Sequence, residues 1–187
     1  MRFGHRESID FDFFSSQDLN KDSLIDAMPI LQGAITLEES KNTFIVLATL
    51  PDEDESVKLS FFGGIRFGRV CMPDMTEDGV LLVASLRDLM ATKLKVLFDR
   101  VELKDYIDIA QMLNRRQSLA LGISDAMALL PRISPSYCLK TLCYFDAKEL
   151  SELSRKYKQI LTSAVRETSS SQSEFQPSSI ASTELIL

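Results

Sequence analysis

Residues 9–14, Ile-Asp-Phe-Asp-Phe-Phe, open with alternating apolar and acidic positions at the period of a β-strand. The alternation predicts Ile9, Phe11 and Phe13 on a core face and Asp10 and Asp12 on the opposite one. A helix is expected over 16–31, with Leu19, Leu24, Met28 and Leu31 on its inner side. Two short strands, 33–39 and 42–49, follow around a turn at Ser40-Lys41. Residues 51–55 are an acidic loop, read as a solvated turn. Residues 56–62 alternate again, with Val57, Leu59 and Phe61 on one face and Lys58, Ser60 and Phe62 on the other. Gly63-Gly64 and Gly68 punctuate a turn, 69–72 adds a short edge strand, and 79–84 reads as an apolar strand.

From Ser85 the period becomes helical and stays so. Helices are expected over 86–98, 102–114, 118–130, 135–145 and 147–165. Strands first and helices afterwards mean an α+β organisation, with a mixed sheet in residues 1–84 and a helical part in 85–166. Residues 167–187, rich in Ser, Gln and Thr, read as a disordered tail.

Composition narrows the function classes. The chain has 187 residues, 45% of them hydrophobic, enough for a domain with a real core. No apolar run is long enough to span a bilayer, and the first residues lack the apolar segment of a secretory signal. The three cysteines, Cys71, Cys138 and Cys143, are odd in number and lack metal-site spacing, so they read as reduced thiols of a cytoplasmic protein. With a net charge of −6 the chain is no generic nucleic-acid binder and is not expected to bind DNA; contact with RNA needs a local basic patch. The clusters Arg115-Arg116 and Arg155-Lys156-Tyr157-Lys158 read as solvated helix ends.

The candidate chemistry is acidic and phosphate-directed. Carboxylates at i and i+2 of a strand stand about 6–7 Å apart on one face, a spacing that can hold hard divalent cations such as Mg²⁺ with water and phosphate completing the shell. The alternative for Asp10 and Asp12 is an edge strand with an acidic polar face. Lys93 falls inside the stripe of Leu86, Leu89, Met90, Leu94 and Leu97, where an ammonium needs an anionic partner, either a structural carboxylate or a ligand phosphate. Arg100 lies seven residues on along the same face. Asp105 and Asp108 are i, i+3 neighbours placed off the expected inner stripe of Leu103, Tyr106, Ile107, Ala110 and Leu113; helix stabilisation alone would account for such early acidic residues. Ser85 and Asp88 have capping-box spacing. His5 is the only histidine, which argues against a transition-metal site.

Three segments together, residues 4–14 (Gly-His-Arg-Glu-Ser-Ile-Asp-Phe-Asp-Phe-Phe), 88–94 (Asp-Leu-Met-Ala-Thr-Lys-Leu) and 100–109 (Arg-Val-Glu-Leu-Lys-Asp-Tyr-Ile-Asp-Ile), resemble the AbiEii/AbiGii toxin family. These are nucleotidyltransferase-fold toxins of bacterial toxin–antitoxin and abortive-infection systems, and the resemblance runs from residue 4 to about residue 165. It implies a nucleotidyltransferase-like mixed sheet followed by a C-terminal helical bundle, and Mg²⁺-dependent transfer of a nucleoside monophosphate from an NTP to RNA or another macromolecule. By resemblance, Asp10 and Asp12 bind the metal, and these two with Lys93 and Asp108 are catalytic. His5, Arg6, Ser8, Arg100 and Asp105 are the implied substrate contacts, and a cognate antitoxin is the implied partner. Two departures are expected to matter. The family's Gly-Gly-Thr/Ser turn belongs upstream of the first Asp, so the chain reads as an N-terminally truncated member. Ser60 also stands where many proteins of this fold carry a third carboxylate. The alternative function is an inactive member that acts as an interaction protein, or the product of a decaying gene.

Overall fold

The computed structural model describes residues 10–49, 55–130, 132–170 and 175–185. Two compact units are present, one formed by residues 1–68 and 183–187 and the other by 69–182. The architecture is α+β: a mixed sheet with helix in the first unit, and a helical bundle in the second.

In the first unit, β1 (Asp10–Phe14), β2 (Ile35–Ser40), β3 (Thr43–Thr49) and β4 (Ser56–Phe62) form one sheet in the order β1-β4-β3-β2. The β2-β3-β4 run is an antiparallel meander, and β1 joins it parallel to β4. Phe44, Val46, Ala48, Leu59 and Phe61 bury one face of the sheet together with Leu31. The helix α1 (Lys21–Ala27) packs there through Leu24 and Ile25.

The helix expected over 16–31 is shorter. Asn20 caps α1, its side-chain oxygen accepting from the Ser23 N–H at 3.0 Å. Pro29 ends it, because the residue before a proline is driven out of the helical region; Met28 sits at φ −124° and ψ 92°, and a 3₁₀ turn, Pro29–Leu31, completes the segment. Residues 16–19 are instead held by side chains, with Leu19 N–H donating to Asn42 Oδ1 at 3.0 Å.

The second unit opens with a two-residue ladder of β5 (Asp74–Met75) and β6 (Leu82–Val83). This differs from the strand expected over 79–84: Gly79 adopts φ +72° in the connecting turn, and Val80, Leu81 and Leu82 are exposed. The strand expected over 69–72 reduces to a single bridge between Arg69 and Ser182. The bundle comprises α2 (Leu86–Val96), α3 (Leu103–Asn114), α4 (Leu119–Leu129), α5 (Pro135–Leu142) and α6 (Arg155–Ser170). α2 packs on α3 and α4, and α6 on α3, α4 and α5, around Met90, Leu94, Ile109, Ile123, Leu142 and Leu161. The helix expected over 147–165 resolves into a 3₁₀ turn, Lys148–Leu150, and α6, whose start is capped by Ser154. Residues 175–185, expected to carry no structure, make backbone hydrogen bonds: Ser178 N–H donates to Ser124 C=O at 3.0 Å, and Ala181 N–H to Arg69 C=O at 2.9 Å. Among the described residues no helix is long and apolar enough to cross a membrane.

Candidate functional site

Two groups of the expected site residues are brought together, one in each unit. In the first, β1 carries Asp10 and Asp12 on the sheet face opposite Phe13, which stacks on Phe61 with ring centroids 5.0 Å apart. Asp12 is exposed and Asp10 half-buried. The expectation that Phe11 is buried fails: it is 49% exposed, on the end strand of the sheet and outside the core cluster that Phe13 joins. The parallel register sets Asp12 beside Ser60 and Asp10 beside Lys58. Neighbouring strands lie about 4.8 Å apart, so Ser60 and Lys58 border the acidic pair directly. Ser60 is only 1% exposed. The ladder therefore places a hydroxyl, not a carboxylate, at the position nearest Asp12, and a cation nearest Asp10 along the same strand.

In the second unit the charged cluster is built from α2, α3 and the turn between them. Lys93 Nζ donates to Asp105 Oδ1 at 2.7 Å and lies 2.8 Å from Asp108 Oδ2. Arg100 Nε lies 3.4 Å from the second Asp105 oxygen. Asp105 is fully buried and Asp108 nearly so. The expectation that both carboxylates lie off the buried side of α3 is thus corrected: α3 buries Asp105, Tyr106, Asp108, Ile109, Ala110 and Met112, a wider arc than the apolar stripe alone. The physical reason is pairing. Lys93 enters from α2 inside an apolar stripe, and its ammonium draws both acids inward. The structural alternative for Lys93 is thereby realised in this structure, with two carboxylates as partners. Burial by itself would lower the Lys93 pKa, but the hydrogen bonds to Asp105 and Asp108 outweigh it, and the net shift is upward.

Two further polar groups anchor the start of α2. Ser85 caps α2, with Asp88 N–H donating to Ser85 Oγ, but the reciprocal bond expected of a capping box is replaced: Asp88 Oδ2 accepts from the Ser85 hydroxyl at 2.6 Å, and the other Asp88 oxygen accepts from Val70 N–H at 2.7 Å. Arg87, one residue before, holds Asp125 of α4 through both guanidinium and carboxylate forks, Nε to Oδ2 at 2.8 Å and Nη2 to Oδ1 at 2.5 Å. Sequence reasoning missed this pair. Its signal was available: Asp125 is the one charged residue of the otherwise apolar helix α4 and is fully buried.

Of the other expected site residues, His5, Arg6 and Ser8 lie outside the described residues. Among the described residues no group of three or more His, Cys, Asp or Glu side chains is placed to hold a metal. Asp10 and Asp12 are two carboxylates on one face, and two suit Mg²⁺ where water and substrate phosphates fill its remaining positions.

Comparison with known proteins fits this architecture. The chain is 28% identical over 156 residues to the uncharacterized protein aq_aa25 of Aquifex aeolicus (strain VF5), covering 80% of this chain and 71% of that protein. Two crystal structures from Helicobacter pylori share the fold. JHP933 matches with a TM-score of 0.54 at 17% identity, over 90% of this chain and 81% of its own. A protein described as a candidate nucleotidyltransferase matches with a TM-score of 0.52 at 14% identity, over 92% and 84%. The family model of the nucleotidyl transferase AbiEii toxin, type IV toxin–antitoxin system, matches residues 1–176. A match over that much of the sequence, on a sheet-then-bundle fold, makes the chain a member of the AbiEii nucleotidyl transferase toxin family.

Proposed function

We propose that the chain transfers a nucleoside monophosphate from an NTP to an RNA or other macromolecular hydroxyl, releasing pyrophosphate, with Mg²⁺ held by Asp10 and Asp12. The observation that carries this reading is the placement of both carboxylates on one face of β1, which the parallel ladder with β4 fixes. Bound there, Mg²⁺ would supply charge neutralisation at the phosphates. The chain's own residues do the rest. Asp10 and Asp12 orient on a rigid strand rather than a loop. Lys93 keeps its proton because Asp105 and Asp108 favour the charged form, and to meet a phosphate the ammonium would exchange one of these carboxylate partners for a phosphate oxygen. Asp108 and Asp105 hold the ammonium in place, and Arg100 offers a second cation beside it. Of the substrate contacts implied by resemblance, His5, Arg6 and Ser8 precede β1 directly in sequence. A cognate antitoxin is the partner this reading expects.

The test is incubation with labelled NTPs, Mg²⁺ and total RNA. Labelling by the parent that is lost in Asp12→Ala and in Lys93→Ala is the expected result. Labelling that survives in Asp12→Ala refutes the metal-site assignment. A second reading, an inactive member that works by binding alone, is favoured by one observation: Ser60 stands beside Asp12 where a third carboxylate would help hold a second metal. It predicts no labelling by the parent and no Asp12-dependent rise in melting temperature with Mg²⁺.

A further inference from the structure

The second unit carries a basic face that neither the family description nor the proposed chemistry uses. It lies on α6, a helix of 16 residues. At about 100° per residue, Arg155, Lys158, Gln159, Thr162, Ser163 and Arg166 fall within an arc of about 140°. The opposite arc carries Tyr157, Ile160, Leu161, Ala164 and Val165, with Leu161 fully buried in the bundle. The polar arc lines a shallow, open depression of about 280 Å³. Three of its six lining residues are cationic, the other three are neutral hydrogen-bonding side chains, and none is a carboxylate. That composition departs from the rest of a chain with net charge −6. Lys158 is further placed over the Phe145 ring, 5.6 Å from its centroid, which fixes the ammonium beside an aromatic surface.

We propose that this face of α6 binds the phosphodiester backbone of RNA. The inference rests on the proposed function only in naming RNA as the acceptor class; the face itself is independent of the acidic pair and of Lys93. Arg155 and Arg166 are eleven residues apart, about 16 Å along the helix at 1.5 Å per residue. A stacked strand rises roughly 3.4 Å per nucleotide, so the stripe can follow about five nucleotides. Cations at both ends of the stripe answer phosphates. Thr162, Ser163 and Gln159 between them offer donors and acceptors that suit phosphate oxygens and the ribose 2′-hydroxyl. An acidic protein segment would be met by the same cations, and the competition arm of the experiment separates the two.

The experiment measures binding alone, with no NTP or metal present, so that a failure here is separate from a failure of nucleotide transfer. Anisotropy of a labelled single-stranded RNA would be titrated with the full chain, the triple variant Arg155→Gln/Lys158→Gln/Arg166→Gln, and a control, Lys104→Gln, which is not among the residues lining the depression. Three phosphate contacts on a single strand give a salt slope of about −2, hence about 20-fold weaker binding at 200 mM than at 50 mM salt. The expected result is that the parent and the control show this slope, while the triple variant, with unchanged circular dichroism and melting, binds at least tenfold more weakly at 50 mM and loses most of the slope. Equal RNA binding by parent and triple variant overturns the proposal. So does displacement of the RNA by polyglutamate as effectively as by unlabelled RNA, which would assign the face to an acidic protein partner. No RNA binding by the parent overturns it as well.

Discussion

Replacing Lys93 by methionine keeps the bulk of an apolar stem inside the α2 stripe and removes one charge. Asp105, fully buried, is then left with Arg100 at 3.4 Å as its charged partner, and Asp108 loses the ammonium 2.8 Å away. Breaking a buried ion pair from one side costs about 3–5 kcal/mol. The Lys93 side chain is 23% exposed and Arg100 remains, which lowers the expected loss to about 2–3 kcal/mol at pH 7. For a chain of this size each kcal/mol moves Tm by about 2–4 °C, so a fall of about 4–12 °C is expected. The pH dependence gives a second handle. The folded pKa of Lys93 lies above the unfolded value of 10.5, so its contribution is fully present below 10.5 and is lost only as pH rises through the still higher folded value. The parent should therefore show no change from this group between pH 5 and pH 9. In Lys93→Met the two carboxylates lie one helical turn apart without that cation, and one of them is pushed to hold a proton. Its folded pKa is then raised, so the variant recovers as pH falls, and its deficit should shrink between pH 7 and pH 5. The double variant Lys93→Met/Asp105→Asn should regain part of the loss at pH 7. Thermal melts followed by circular dichroism at three pH values measure all of this. A Lys93→Met chain that melts within about 1 °C of the parent at pH 7, or a deficit constant from pH 7 to pH 5, would refute the argument that the ammonium holds the acids inside.

Two further substitutions probe other parts of the molecule. Ser60→Asp places a carboxylate beside Asp12 at a position only 1% exposed; melting without metal should drop, and the rise produced by Mg²⁺ should exceed the parent's, whereas an equal or smaller Mg²⁺ response would show that the β4 position does not face the metal. Arg87→Met removes both hydrogen bonds to the fully buried Asp125; urea unfolding should show a loss of about 2–4 kcal/mol, largely recovered in Arg87→Met/Asp125→Leu, and no recovery in the double variant would mean that the fork contributes more than it costs to bury.

The elements set by period alone were legible. β4 was read to its observed bounds because Val57, Leu59 and Phe61 alternate without interruption against polar neighbours. The α2, α3 and α4 segments came within two residues at each end, since their apolar stripes and the caps at Ser85 and Ser118 agree. What hydropathy could not reveal was how deeply charge is buried. Asp105, Asp108 and Asp125 read as surface residues by type, and they are inside because cations from α2 meet them there. Lys93 announced its half of this arrangement by sitting in an apolar stripe; Arg87 gave no such sign, being only two residues from the helix cap. The acidic pair of β1 was readable as a pair, but its neighbours were not, because a parallel partner 48 residues away follows from no local pattern. The β6 region failed for the converse reason: Val80, Leu81 and Leu82 are apolar yet exposed.

The parallel joining of β1 to β4 also sets an order of assembly. The β2-β3-β4 meander closes through short connections, whereas β1 reaches its partner only after the helix, the turn and two strands between them have been synthesised. Loop-closure entropy favours the local hairpins first and the long-range parallel pairing last. During synthesis the acidic strand therefore leaves the ribosome before any surface exists to receive it, and the two carboxylates acquire a fixed spacing and orientation only when β4 has emerged. An unfinished chain therefore cannot hold the two carboxylates at their ladder spacing, and release of the first strand by local unfolding would dismantle the pair while leaving the meander paired.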